Sequence, residues 1–360
     1  MLLDPRPKES RKDLFDREEE LERLKRAVER YPLVLLLGIR RVGKSSVLKV
    51  ALNELENGIY IDVRELYFSS GGWITSETLT KAFEKALNSL KSKFRGKVIE
   101  TLRKVKGVTI AGVSLTFESK TSLLDVLNAL NDVGVVIAFD EAQYLRYYGA
   151  RGGKEFLAMV AYAYDNLRNV RFVFSGSEVG LLHDFLGVAN YKSPLYGRVY
   201  EEITVDPFSR ELAKEFLRKG LEEVDIKMDE NLIERVTELL DGIPGWLVEF
   251  GYNYIETRDF DKAIEGVLVK AEKFLEGELR ELERRSRRYL LILKAIAIGF
   301  DRWELIKDYV EARSGKVSNT RLANLLRNLE KMSWIRKTYH DDIKRYEIID
   351  PVVVRVLKRI

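Results

Sequence analysis

The sequence contains no cysteine. That excludes disulfides, thiolate zinc sites and thiol catalysis. Histidine is nearly absent as well: His183 and His340 are the only two, too few for a histidine-rich metal centre. Long apolar runs are missing. Runs such as Val34–Leu37 and Val135–Phe139 fall far short of the ~20 residues that cross a bilayer. The opening stretch "MLLDPRPKESRKD" turns charged at Asp4 and holds no apolar segment of signal-peptide length. There is no internal repeat and no low-complexity segment. These absences lead to the expectation of a soluble, cytoplasmic protein with no membrane partner.

What the chain has in quantity is charge. Lysine, arginine, aspartate and glutamate make up 33% of it, and with no cysteine and few methionines this leans toward a thermophile. The net charge of +4 is unevenly spread. Residues 283–360 carry about +9, leaving about −5 for the rest.

Residues 1–12 read as a loose arm. A helix is expected over "LFDREEELERLKRAVERYP", with Leu21, Leu24 and Val28 on one face and Pro32 as its stop. "LVLLLG" is a continuous apolar run of the kind that marks a buried parallel strand. A helix follows from Lys44 to about Leu55, then a strand over "GIYIDVREL" and a helix over Thr75–Leu90. The alternation in 107–118 predicts a hairpin, inserted before a helix that starts near Ser122. "VGVVIAFDE", "VRFVFSGSE" and "VYEEITVDP" supply three more strands, with a helix over Gly153–Leu167 between the first two. Strands alternating with helices imply an α/β domain with a parallel sheet. Residues 209–282 show helical periodicity alone, broken at "DGIPG". Residues 287–360 read helix, helix, helix, hairpin, short helix, the order of a winged helix-turn-helix. The hairpin strands there are "WIRKTY" and "RYEIID", joined by His340–Lys344. The domain expectation is a core over 1–206, a helical lid over 207–282 and a winged helix over 283–360.

The stretch "LLLGIRRVGKSS" has the spacing G-x-x-x-x-G-K-S directly after a strand and before a helix. That is the context a phosphate-binding loop requires. Gly38 and Gly43 let the backbone of Ile39, Arg40, Arg41 and Val42 curl so that its N–H groups face phosphate oxygens. The helix N-terminus at Lys44, Ser45 and Ser46 adds its positive end. Lys44 is expected on the β- and γ-phosphates and Ser45 on Mg²⁺. About a hundred residues on, "VVIAFDE" ends a buried strand in two acids. Asp140 suits the metal's water shell, and Glu141 suits the orientation or deprotonation of the attacking water. Gln143 lines the site or faces solvent. Ser175 and Ser177 end the next strand as alternative sensors of the γ-phosphate. Arg198, in "SPLYGRVY", is a candidate for transition-state charge, in cis or from a neighbouring subunit. The cofactors so implied are a nucleoside di- or triphosphate with Mg²⁺; a family resemblance, carried by these and further motifs, makes the nucleotide ATP or ADP.

"FDREEELERL", "GIRRVGKSS", "VVIAFDEAQ", "FSGSEVGLL", "PLYGR", "PFSRELAKEFL" and "DGIPGWL" together resemble the archaeal ATPase family of AAA+/STAND-related P-loop ATPases. The resemblance spans nearly the whole chain. It implies a P-loop core with a five-stranded parallel sheet of order 5-1-4-3-2, a helical lid and a C-terminal winged helix. It also implies Phe15 and Arg17 near the adenine, although family members often have glycine where Asp16 stands. Gly242–Pro244 resembles a G-x-P lid signature that brings Pro244 to the base; an ordinary inter-helix turn is the alternative. A histidine of the winged helix contacts phosphate in some such switches, but His340 reads as a turn residue.

In "SNTRLANLLRNLEKM" the leucines form an inward stripe. Arg321, Asn324, Arg327, Asn328 and Lys331 fall elsewhere and suit base edges or phosphates of duplex DNA. Winged helices also serve as protein-interaction modules, and Asp341 and Asp342 at the wing tip would repel phosphate. The expected function is an ATP-hydrolysing AAA+/STAND-like switch whose lid and winged helix respond to nucleotide. The alternatives are an ATP-regulated DNA-binding protein and a signalling scaffold acting through protein partners, any of them as a homo-oligomer.

Overall fold

The computed structural model describes residues 1–118 and 120–359. The chain divides into two compact units, one of Pro7–Val205 and one of Asp206–Ile360 together with Met1–Arg6.

Among its described residues the first unit holds seven strands: β1 (Leu33–Leu37), β2 (Gly58–Asp62), β3 (Val108–Ala111), β4 (Ser114–Phe117), β5 (Val135–Asp140), β6 (Val170–Gly176) and β7 (Glu201–Thr204). Five form a parallel sheet in the order β2-β5-β6-β1-β7, and β3 pairs with β4 as a separate hairpin. With the hairpin left out of the count, that order is 5-1-4-3-2 read from the opposite edge. Strands β1 and β5 are buried at every position, which is why each reads as an unbroken apolar run. Alternate residues feed two layers. Leu33, Leu35, Leu37, Phe139, Phe172 and Phe174 pack with helices Ser76–Asn88, Leu123–Leu130 and Lys154–Asn166. Val34, Leu36, Val136, Ala138 and Val173 pack with Glu18–Arg30 and Lys44–Leu55.

Three expectations up to this point of the chain need correction. The second strand stops at Asp62, because the Asp62 carboxylate accepts the Glu65 N–H and caps a helix over Val63–Ser69. A helix over Ser92–Leu102, not expected from the sequence, lies between Ser76–Asn88 and the hairpin. The arm is not loose: Leu3 is fully buried, and a Cβ on Gly220 or Gly251 would fall within 2.7 Å of its side chain. The Leu2 N–H donates to the Glu223 carboxylate at 2.6 Å. Two glycines on helices of the second unit thus make room for one leucine.

In that second unit four helices, Arg210–Glu222, Glu230–Leu240, Pro244–Thr257 and Phe260–Arg285, precede the winged-helix elements. Ser286 ends the last of them and caps the next, Arg287–Ala297, by accepting the Arg288 N–H. Trp303–Ser314 and Asn319–Lys331 follow, then β8 (Ile335–His340), β9 (Ile343–Ile348) and Pro351–Arg359. The wing turn is shorter than expected: only Asp341 and Asp342 join the strands, with φ of 50° and 61°. Two positive-φ residues suit the tight two-residue hairpin, and His340 falls in the strand. Trp246 is buried, and its indole N–H donates to the Asp350 carboxylate. Arg355 donates to the Leu239 carbonyl at 3.2 Å, and Arg359 pairs with Glu265 at 2.7 Å. Among the described residues no helix is long and apolar enough to cross a membrane.

Candidate nucleotide-binding site

The loop Gly38–Gly43 joins β1 to the helix Lys44–Leu55. Gly38 has φ 153°, and a Cβ there would lie 2.3 Å from the Val205 carbonyl oxygen. Gly43 has φ 99° and open space around it, so conformation alone requires glycine. Val42 is buried in the core and pins the loop from beneath. Lys44 is buried, and its Nζ donates to the Ile39 carbonyl at 2.9 Å, closing the loop on itself. Burial holds the Lys44 ammonium below the ordinary lysine range, partly offset by Glu141 and Asp140. The Ser46 hydroxyl accepts the Lys8 N–H at 3.0 Å.

Asp140, at the end of β5, gathers donors. Its Oδ2 accepts from Ser45 Oγ at 2.6 Å and from the Tyr60 hydroxyl at 2.7 Å. Its Oδ1 accepts from Ser175 Oγ and from the Glu141 N–H at 3.1 Å. Burial, then the Asp140 charge, pushes the Tyr60 phenol far above its ordinary range, so it stays a donor. Glu141 has φ 52°, a left-handed conformation that costs a non-glycine residue about 1–2 kcal/mol. Its Oε2 accepts from Ser177 Oγ at 2.6 Å and Gln143 Nε2 at 2.5 Å. Burial would raise the Glu141 carboxyl, but Lys44, Ser177, Gln143 and Arg40 together hold it below the ordinary range. The two serines that were alternatives in the sequence therefore attend different acids.

Arg40 donates to Glu178 at 2.9 Å, and Arg146 lies 3.6 Å from the same carboxylate. Arg41 has φ 69°. Arg17 is buried, donating to the Val42 carbonyl at 3.3 Å and pairing with Glu20 at 2.9 Å. Phe15 is half-buried, and Asp16 between them has φ 47°, a conformation glycine adopts without cost. Arg198 is not brought to this cluster. It precedes β7, at the sheet edge where strands start, whereas the loop and the acids lie where strands end. It pairs with Asp165 at 2.5 Å and lies over the Tyr164 ring.

In the second unit Pro244 is the first residue of its helix. The preceding Gly242 is obligatory for packing: a Cβ would fall 1.7 Å from the Phe208 carbonyl oxygen. On Asn319–Lys331, Arg321, Asn324, Arg327 and Asn328 are exposed and Lys331 is half-buried. Asn328 donates to the Tyr289 hydroxyl at 2.9 Å. Three wing cations are answered by acids, Arg336 by Glu347, Lys337 by Glu330 and Arg345 by Asp301, and Lys344 lies over the Tyr346 ring.

Sequence reasoning missed Tyr60 and Glu178. Tyr60 was discoverable only from the sheet order, since β2 lies beside β5 in the register Asp62↔Asp140. Nothing in the sequence marks Glu178. A carboxylate with a serine hydroxyl at 2.6 Å is a hard-oxygen donor set that fits Mg²⁺ sharing its shell with phosphates. Among the described residues no cluster of three or more acids and histidines offers another metal site.

Fold and site define a P-loop ATPase with a C-terminal winged helix. A family model described as an ATPase domain predominantly from Archaea matches residues 14–250. A second, the C-terminal winged helix-turn-helix domain of MCM proteins, matches residues 283–349. The chain belongs to the archaeal ATPase-domain family and is an ATPase. It is similar to the Walker-type ATPase Paby2304 of Pyrococcus abyssi, at 50% identity over 99% of this chain and 100% of that one, with a TM-score of 0.87. The Aeropyrum pernix ORC2 protein, solved as ADPNP–ADP complexes, shares the fold at 14% identity, over 96% of this chain and 94% of that one, with a TM-score of 0.63. No curated protein matches the chain.

Proposed function

We propose that the chain is an ATP-driven AAA+/STAND-like switch in which Glu141 acts on the attacking water and the lid and winged helix, residues 207–282 and 283–360, respond to nucleotide. The observation that carries this reading is the pairing of acids with the loop: Asp140, at the end of β5, is bonded to Ser45, and Glu141 follows it directly, its carboxylate held by Ser177 and Gln143. The N–H groups of Gly38–Ser46 hold the phosphates, with Lys44 on the β- and γ-oxygens. Ser45 and Asp140 would hold Mg²⁺, which neutralises charge on the transferring phosphate when bound. Glu141, kept ionised, orients the water, and Ser175 and Ser177 relay the state of the γ-phosphate to the two acids. Phe15 and Arg17 attend the adenine. Arg198 acts from a neighbouring copy, because its own site lies at the opposite sheet edge.

Replacing Glu141 by glutamine tests this directly. ATP should still bind with nearly unchanged affinity, while steady turnover falls at least ~100-fold. Turnover at the wild-type rate would remove Glu141 from the mechanism. A second reading, duplex DNA binding by the winged helix, is favoured by Arg321 and Arg327, which are exposed and in no ion pair among the described residues.

A further inference from the structure

The helix Ser92–Leu102 and its flanks form the most one-sided stretch of the molecule. Residues 91–106 contain seven lysines and arginines against one acid, Glu100. Elsewhere cations are commonly matched: Arg11 by Glu22 and Glu54, Arg210 by Glu234 and Glu238, Arg359 by Glu265 and Glu272. Here Lys91, Lys93, Lys97, Arg103, Lys104 and Lys106 are all exposed, and none forms an ion pair among the described residues. Uncompensated like charges repel one another, so the stretch is stabler with an anion against it.

Gly96 is the second observation. It lies in mid-helix, where glycine is destabilising relative to alanine. A Cβ there would meet nothing within 4 Å. No internal packing explains the glycine. It leaves a flat, exposed strip of backbone between Lys93 and Lys97, suited to close approach by an external surface.

We propose that this face of the ATPase unit docks the phosphodiester backbone of duplex DNA, a surface separate from the nucleotide site and from the winged helix. The 11-residue helix is about 16 Å long, along which a duplex presents roughly nine phosphate charges. The apolar side chains Val98, Ile99 and Leu102 are buried and Phe94 packs against the core. That leaves no exposed aromatic to stack unpaired bases and no apolar edge to enter a bilayer. Lysine predominates, which suits sequence-neutral contact with phosphates over reading of bases.

The test uses the full chain, a fluorescent 20-base-pair DNA duplex, and anisotropy titrations from low to physiological salt. The wild type should bind. The triple variant Lys93→Gln/Lys97→Gln/Lys104→Gln should bind at least ~10-fold more weakly, with its salt slope smaller by roughly 2.7, or about 0.9 for each phosphate no longer neutralised. Its ATP turnover without DNA should match wild type, which also verifies folding. Gly96→Gln should raise the melting temperature yet weaken DNA binding, a pair of effects that helix propensity alone does not produce. The proposal is overturned if the wild type does not bind the duplex. It is equally overturned if the triple variant keeps wild-type affinity and slope while Arg321→Gln/Arg327→Gln abolishes binding. Tighter binding to an RNA duplex or to phosphatidylserine vesicles than to DNA also overturns it.

Discussion

Tyr60, Ser45, Ser175 and the Glu141 backbone share one carboxylate, so each fixes where the others can stand. Removing one donor should move Asp140 without unfolding the strand. Tyr60→Phe keeps the ring and loses only the hydroxyl. We expect about a 3–10-fold loss of turnover at limiting Mg²⁺, the size of one ordinary net hydrogen bond. Saturating Mg²⁺ should restore most of it. Equal losses at both concentrations would show that Tyr60 does not position Asp140. At this scale the sequence was legible wherever a motif fixes residue type and neighbour together. Gly38, Lys44, Ser45, Asp140 and Glu141 lie where the spacing put them. Tyr60 was not legible, because an aromatic in a strand is ordinary and only the parallel register with β5 brings it to Asp140.

Elements buried on both faces announce themselves, which is why β1, β5 and β6 read correctly from apolar runs. Ser92–Leu102 did not, since its apolar stripe is short and interrupted by lysines and Gly96. Asp62 shows another limit: "GIYIDVREL" keeps its strand-like composition straight through a helix start, and only the cap at Glu65 ends the strand. Some contacts between elements are pure charge. Glu54, at the end of the helix after the phosphate loop, takes Arg11 and Lys25. Its hydrogen bonds to them lower its carboxyl from 4.5 to about 2. The folded value lies below the unfolded one, so this cluster stabilises fully above about pH 4.5 and fades as pH falls toward 2. Being largely solvent-facing, it contributes no more than ~1 kcal/mol. Wild type should melt about 1–3 °C above Glu54→Gln at pH 7, with the gap closed below pH 3. A gap that persists in acid would assign the effect to packing.

For the whole molecule, the role proposed for Arg198 can be tested through assembly. If it completes a neighbour's site, Arg198→Ala should lose turnover at least ~100-fold while retaining ATP binding. A mixture of Arg198→Ala and Lys44→Ala chains should recover activity, since one brings an intact site and the other an intact arginine. Wild-type turnover per chain should also rise with protein concentration. Failure of the mixture to recover would place Arg198 outside the reaction.

The buried Leu3 imposes an order on biosynthesis. Its pocket includes Gly220 and Gly251, which leave the ribosome roughly 10–50 s after it at ordinary elongation rates. The ATPase unit, Pro7–Val205, is by then fully synthesised and free to fold. Residues made early are thus among the last to find their place, and a nascent chain carries two bare leucines ahead of its ATPase unit until then. Tags or extensions at the amino end would meet that late docking step before they met the catalytic unit.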